Sequence, residues 1–111
     1  MTGIDIIFIN ADLTGSNFND SNFSESNFDE AKLDKSTFVN SQLMQVSFWK
    51  ISGRHCDFTR AKLNDTNFKE SDLFESNFAD SDLQHSILEE AFLFGANLTN
   101  ADTRRASFLG A

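Results

Sequence analysis

The chain has no proline, no tyrosine and one cysteine, and its 9 Lys and Arg are outnumbered by 17 Asp and Glu. Each shortage excludes something. A lone thiol, Cys56, cannot form an internal disulfide, so nothing requires an oxidising compartment and the cytoplasm is the expected setting. A net charge of −8 argues against direct nucleic-acid binding, because phosphate recognition needs Lys and Arg arrayed along one face. No apolar run is long enough to span a membrane. Asp5 interrupts Ile4, Ile6, Ile7, Phe8 and Ile9, and no basic region or cleavage site accompanies them. The missing tyrosine stands beside 13 Phe, which points to an interior where a phenol would find no hydrogen-bond partner.

What is present is a period of five. Ser16-Asn17-Phe18-Asn19-Asp20-Ser21-Asn22-Phe23-Ser24-Glu25-Ser26-Asn27-Phe28 repeats one unit three times: a small residue, Asn, Phe and two polar residues. Leu or Phe recurs in that register from Phe8 to Phe108, and only Gly53 and Thr103 miss the beat. Two residues before each centre stands Ala, Ser, Thr, Cys, Val or Ile. An α-helix turns about 100° per residue and would scatter residues five apart around its axis. A straight strand would send them to alternate faces. The remaining backbone bends once per repeat, turning the centre and the residue two before it inward and the other three outward. Such bends wind into coils that stack about 4.8 Å apart.

The units Ala11-Asp12-Leu13-Thr14-Gly15 and Ala96-Asn97-Leu98-Thr99-Asn100 resemble the pentapeptide-repeat consensus A-[DN]-L-x-x, over essentially all of Ile6 to Ala111. The resemblance implies an all-β fold: a right-handed quadrilateral parallel β-helix with one pentapeptide per face and about five coils. Sorting centres by a twenty-residue coil gives two opposite Phe columns and two mainly Leu columns, as stacking of like side chains would select. Gly53 leaves a gap, and Val46, Ile51 and Cys56 are enlarged to fill it. The chain reads as one domain, 1–111, in which 1–9 form the N-terminal cap and first partial coil and 46–60 the disturbed coil.

No residue pattern points to catalysis, a metal or a cofactor. The inward Ser and the Asp or Asn before the centres (Asp12, Asn17, Asn22, Asn27, Asp72, Asn77, Asp82) are expected to bond the bending backbone. Cys56 points in while His55 and His85 point out on different faces, so three or four ligands do not converge. Carboxylates on a convex rod do not meet in a cleft. The chain is therefore expected not to be an enzyme.

Function is expected on the surface, toward a protein partner. Phe74, Phe92 and Phe94 fall at outward positions on one face near the C-terminal end, with Ile87 and Leu109 on the adjoining face, forming a homotypic or partner interface. The last coil ends in register at Ala111 with open backbone edges, which favours a homodimer through that end. A second reading comes from the family resemblance: some members mimic DNA and bind DNA gyrase or other type II topoisomerases. The matching face here would carry Asp29, Glu30, Glu70, Glu89 and Glu90, with Lys50 and Lys69 interrupting it.

Overall fold

The computed structural model describes Gly3 and residues 5–111. Every fifth residue from Asp5 to Gly110 has a positive φ of 52–74°, and nineteen of these are not glycine. Each ends the central pair of a tight turn. The N–H of Ala11 donates to the Phe8 carbonyl at 3.0 Å, that of Ser16 to Leu13 at 3.0 Å, and that of Ala31 to Phe28 at 2.9 Å. A positive φ at the third turn residue is unavailable to a type I turn, so the chain changes direction more sharply than a helix would. The left-handed region costs most side chains about 1–2 kcal/mol, least for Asp and Asn, and persists only where the surroundings hold it.

What holds it is the next coil. Parallel bridges join residues 20 apart, Ile7 to Asn27, Asp12 to Lys32, Asn17 to Thr37, Asn22 to Gln42 and onward to Ile87 with Ser107. Four five-residue sides therefore make one turn of the coil. Before the last coil each centre N–H reaches up, as Phe28 does to the Ser47 carbonyl at 2.8 Å, while beyond the first coil each residue before a centre reaches down, as Asn27 does to Ile6 at 2.9 Å. The expected cap at 1–9 falls partly on Met1, Thr2 and Ile4, outside the described residues. Its described part repeats the same turn, with Asp5 at φ 60° and Ile7 bridged to Asn27, rather than forming a separate lid.

The four faces can be named by their centres: A (Phe8, Phe28, Phe48, Phe68, Leu88, Phe108), B (Leu13, Leu33, Gly53, Leu73, Leu93), C (Phe18, Phe38, Phe58, Phe78, Leu98) and D (Phe23, Leu43, Leu63, Leu83, Thr103). The Phe columns of A and C form the core. Rings of one column stack, as in Phe28–Phe48 at 5.1 Å and Phe38–Phe58 at 5.0 Å. Rings of opposite columns meet edge to face, as in Phe38–Phe48 and Phe48–Phe58 at 5.8 Å. Phe28, Phe38, Phe48, Phe58, Phe68 and Phe78 are fully buried, and Leu33, Leu43, Leu63, Leu73 and Leu83 fill the flanks. Each such side chain contributes about 1.5–3 kcal/mol of burial, and each aromatic pair about 0.5–1.5 kcal/mol beyond it.

The inward hydroxyls bond the backbone. Ser36, Ser71 and Ser76 donate to the centre carbonyls of the preceding coil, Leu13 (2.8 Å), Phe48 (2.6 Å) and Gly53 (2.6 Å). Ser81 and Ser86 donate to their own turns at 2.7 Å. Among the described residues no buried side-chain nitrogen or oxygen lacks a partner.

At Gly53 the periodic side chain is replaced from its surroundings. A Cβ there would stand 3.0 Å from Ile51 Cδ1, 3.2 Å from Leu73 Cδ2 and 3.4 Å from Cys56 Sγ. Ile51 and Cys56 thus fill the gap as expected. The third filler is Leu73 from the next coil; Val46 is buried but is not among the nearest atoms. Gly53→Leu, which restores the period, is expected to lower stability by about 1–3 kcal/mol through overpacking, and adding Ile51→Ala to recover most of that loss. Urea unfolding of the single and double variants checks this; a stabilising Gly53→Leu would show that the space is empty.

Candidate protein-interaction face

Residues flanking a centre point outward, and on each face those 20 apart stand above one another. On face B this register gathers the three displaced Phe. Phe74 and Phe94 share a column, with ring centroids 5.8 Å apart and planes within 4°, and Phe92 lies 6.2 Å from Phe74 and 6.3 Å from Phe94, again nearly parallel. Phe92 is 52% and Phe94 68% exposed. Phe74 is half-buried beneath its neighbours. Ile87 and Leu109 are exposed on face A and stand outside the ring stack.

The stack continues into charge. Arg54, one coil before Phe74 in the same column, lays its guanidinium 4.5 Å from the Phe74 centroid. Its Nη1 is 3.7 Å from Asp72 Oδ2. Asp72 also accepts the Phe74 N–H through Oδ1 at 3.2 Å, so one carboxylate fixes the Phe74 backbone and faces the cation above its ring. The His55 imidazole meets the Phe74 ring edge-on at 5.6 Å, and its Nδ1 is 3.5 Å from Glu75 Oε1. Asp34 accepts the Ser52 hydroxyl at 2.7 Å and the Arg54 N–H at 3.1 Å. The backbone bond of Asp72 was expected, but its pairing with Arg54 and the packing of Arg54 and His55 on Phe74 were missed in the sequence, although Arg54, Phe74 and Phe94 are spaced by twenty, the coil length.

Face A carries all five carboxylates of the second reading, but several are already engaged. Asp29 accepts the Trp49 N–H at 3.1 Å and the Ser47 hydroxyl. Glu89 accepts the Ser107 hydroxyl at 2.8 Å, and Glu70 accepts the Trp49 indole N–H at 3.3 Å. Lys50 stands 4.7 Å over the Trp49 ring, so a cation and an indole separate Glu30 from Glu70. Glu30, Glu70 and Glu90 occupy the positive-φ corners and are exposed.

Elsewhere the polar groups serve the coil. Asp12, Asn17, Asn22, Asn27, Asp72, Asn77 and Asp82 each accept the N–H two residues on, at 2.8–3.2 Å. The Thr14 hydroxyl, first, holds Asp12 below the ordinary carboxylate range, and a hydrogen bond from Arg104 does the same for Asp102. Cys56 is buried and its thiol approaches the Leu33 carbonyl at 2.9 Å, in the place a Ser hydroxyl takes in other repeats. His55 and His85 are exposed on faces B and D.

A family model described as a pentapeptide repeat region matches residues 4–78, and the chain belongs to that family. No curated protein matches it. Among solved structures, a pentapeptide repeat protein from the Arabidopsis thaliana thylakoid lumen aligns with a TM-score of 0.66 and 21% identity, over 86% of this chain and 66% of that one. This likeness gives the fold as a right-handed β-helix. QnrB1, a plasmid-mediated fluoroquinolone resistance protein, aligns with a TM-score of 0.44 and 22% identity over 96% of this chain and 67% of that one. HetL of Nostoc, involved in heterocyst differentiation regulation, gives 0.37 and 19% over 91% and 56%. The chain thus spans roughly two thirds or less of these proteins' lengths.

Burial pushes the Cys56 thiol from its ordinary 9.0 up to about 12. Below pH 9 the thiol is neutral whether the chain is folded or not; above it only the unfolded chain ionises. Stability is therefore expected to fall as pH rises from about 9 toward about 12, more steeply than in Cys56→Ser, measured as the urea midpoint. Equal slopes would remove the burial argument.

Proposed function

We propose that this protein is a non-enzymatic interaction or scaffold module, a rigid rod of about five coils that docks a protein partner on face B in the cytoplasm. The observation that carries this reading is the exposed stack of Phe74, Phe92 and Phe94, bordered by the Arg54–Asp72 pair. Interface cores favour aromatic side chains and Arg, rimmed by polar groups, and parallel rings on a stiff ladder lose little freedom on binding. Every inward position is occupied by structural side chains, so recognition falls to the outward ones. The rod measures 29 × 20 × 19 Å, which suits flat contact with another folded surface.

The DNA-mimic reading, with gyrase as target, rests on net charge. Over 29 Å a charge of −8 is one per about 3.6 Å, against about 1.7 Å for duplex DNA, so the rod has about half the duplex density. Mixed signs on face A dilute it further.

The test is a paired binding measurement. A protein captured by the wild type should be purified and titrated calorimetrically against the wild type and Phe92→Ser/Phe94→Ser; the expected result is at least tenfold weaker binding to the variant, and equal affinity would overturn the face-B reading. In parallel, a supercoiling assay with purified gyrase, inhibited by the wild type and not after reversal of Glu30, Glu70 and Glu90, would establish the mimic reading instead.

A further inference from the structure

Face B carries a patterned distribution of both charge signs as well as its aromatic stack. From the Leu13 turn to the Leu93 turn, the outward residues are Asp12, Thr14 and Gly15; Lys32, Asp34 and Lys35; Ser52, Arg54 and His55; Asp72, Phe74 and Glu75; then Phe92, Phe94 and Gly95. With neutral His their net charges are −1, +1, +1, −2 and 0. A pattern of this kind is self-complementary in one orientation. Resting on the face-B reading, we propose that the occupant of this face is a second copy of the chain, packed antiparallel about a twofold axis between the Gly53 and Leu73 turns.

A twofold interface presents one patch to itself, so its register can be tested on the sequence of the face alone. In the proposed register Ser52, Arg54 and His55 oppose Asp72, Phe74 and Glu75 of the second copy. The axis keeps the columns aligned, so Arg54 lies over Phe74 of the second copy and His55 beside its Glu75. These pairings repeat across the interface what neighbouring coils already make within the chain, where Arg54 covers Phe74 at 4.5 Å and His55 approaches Glu75 at 3.5 Å. Lys32 then stands over Phe92 of the second copy, a cation on the face of an exposed ring. Sliding by one turn in one direction sets Asp72 and Glu75 against their own copies; sliding in the other sets Arg54 against Arg54, although it also brings Lys32 and Lys35 opposite Asp72 and Glu75. A parallel arrangement opposes every turn to itself. Like charges across an interface suppress the first slide and the parallel arrangement; the second slide is disfavoured against the proposed register by its Arg54–Arg54 contact and by leaving Phe74 without a cation over it.

Area determines the strength. Extents of 29 × 20 Å allow each copy at most about 580 Å² of flat face, less here because the Leu13 turn lies beyond the overlap, and so below the roughly 800 Å² per partner of a standard stable interface. The association is therefore weak and concentration-dependent, with Arg54 over Phe74 at its centre, Phe92 and Phe94 toward its two ends, and the charges choosing register.

The experiment is sedimentation velocity on the whole chain from about 10 µM to about 1 mM, with circular dichroism on every variant. All substitutions are outward. Wild type is expected to move from monomer toward dimer, and Arg54→Glu to associate at least tenfold more weakly. Arg54→Glu combined with Asp72→Asn and Glu75→Lys reverses the pattern, while the asparagine side chain keeps an acceptor for the Phe74 N–H, and is expected to restore association to within threefold of wild type. A wild type that stays monomeric at the highest concentration, or an Arg54→Glu variant that associates as tightly as wild type, overturns the second copy as occupant. If that happens while Phe92→Ser/Phe94→Ser still loses a heterologous partner, the face-B reading stands; if those serines change neither association, both fall.

Discussion

The structure depends on one backbone event, a turn whose third residue has positive φ, repeated every fifth residue. It bends the chain so that two positions in five face inward, and four such bends bring the chain back over itself. Left-handed φ is costly for Lys, Gln, Arg and Glu, all of which occupy it here. No single turn would keep that conformation alone. It persists because the turn positions a centre N–H under one carbonyl and the preceding N–H over another, while burying a Phe or Leu between coils. The fold is thus cooperative between neighbouring coils, as expected of a solenoid.

The remaining polar backbone groups explain most of the other residue choices. The N–H after each centre points along the face, and two solutions satisfy it. An Asp or Asn just before the centre accepts it locally, as Asn77 does for Ala79 at 2.9 Å. Alternatively a side chain one coil earlier accepts it from above: Asn19 for Val39 at 2.8 Å, Asp29 for Trp49 at 3.1 Å, and Asp34 for Arg54 at 3.1 Å. The second solution appears where Thr37, Gln42, Ser47 or Ser52 stands before the centre, Ser24 being the acceptor for Met44 at 3.2 Å. Asp29 and Asp34 are therefore parts of the coil as well as surface charges, which weakens any reading that counts them only as acidic decoration.

Much of this was legible in the sequence because the period is strict. The inward Ser and the seven capping Asx residues follow from register alone, as does the filling of the Gly53 gap by Ile51 and Cys56; the columns of centres follow from register together with the four-sided coil that the family resemblance implies. The contribution of Leu73 was not legible, because it comes from the next coil and depends on how a side chain leans. The positive φ was overlooked although it left a mark: the fifth position of each repeat, from Asn10 to Gly110, holds no apolar or β-branched residue. The Arg54 stack needed the twenty-residue coil to be applied to outward residues as well as to centres.

Functional information is concentrated where these constraints relax. The corner position must tolerate left-handed φ, and the position before the centre is best filled by an acceptor. The position after the centre is the least constrained, because an acceptor is needed there only where the residue before the next coil's centre supplies none, and Arg54, Phe74, Phe94, Trp49 and Met44 all occupy it. Phe92 breaks the rule. It stands where Asp12 and Asp72 supply an acceptor in the same column, and Phe74 stands where Asp34 supplies the alternative one. Neither ring can accept the Phe94 N–H, which forgoes a hydrogen bond worth about 0.5–1.5 kcal/mol. Lys32, Lys62 and Ile87 also lack the local acceptor, but none of them adds to an aromatic cluster. At Phe92 a bond that serves the coil gives way to a ring that serves only the surface, which is why the proposed contact face is placed there rather than along the carboxylates of face A.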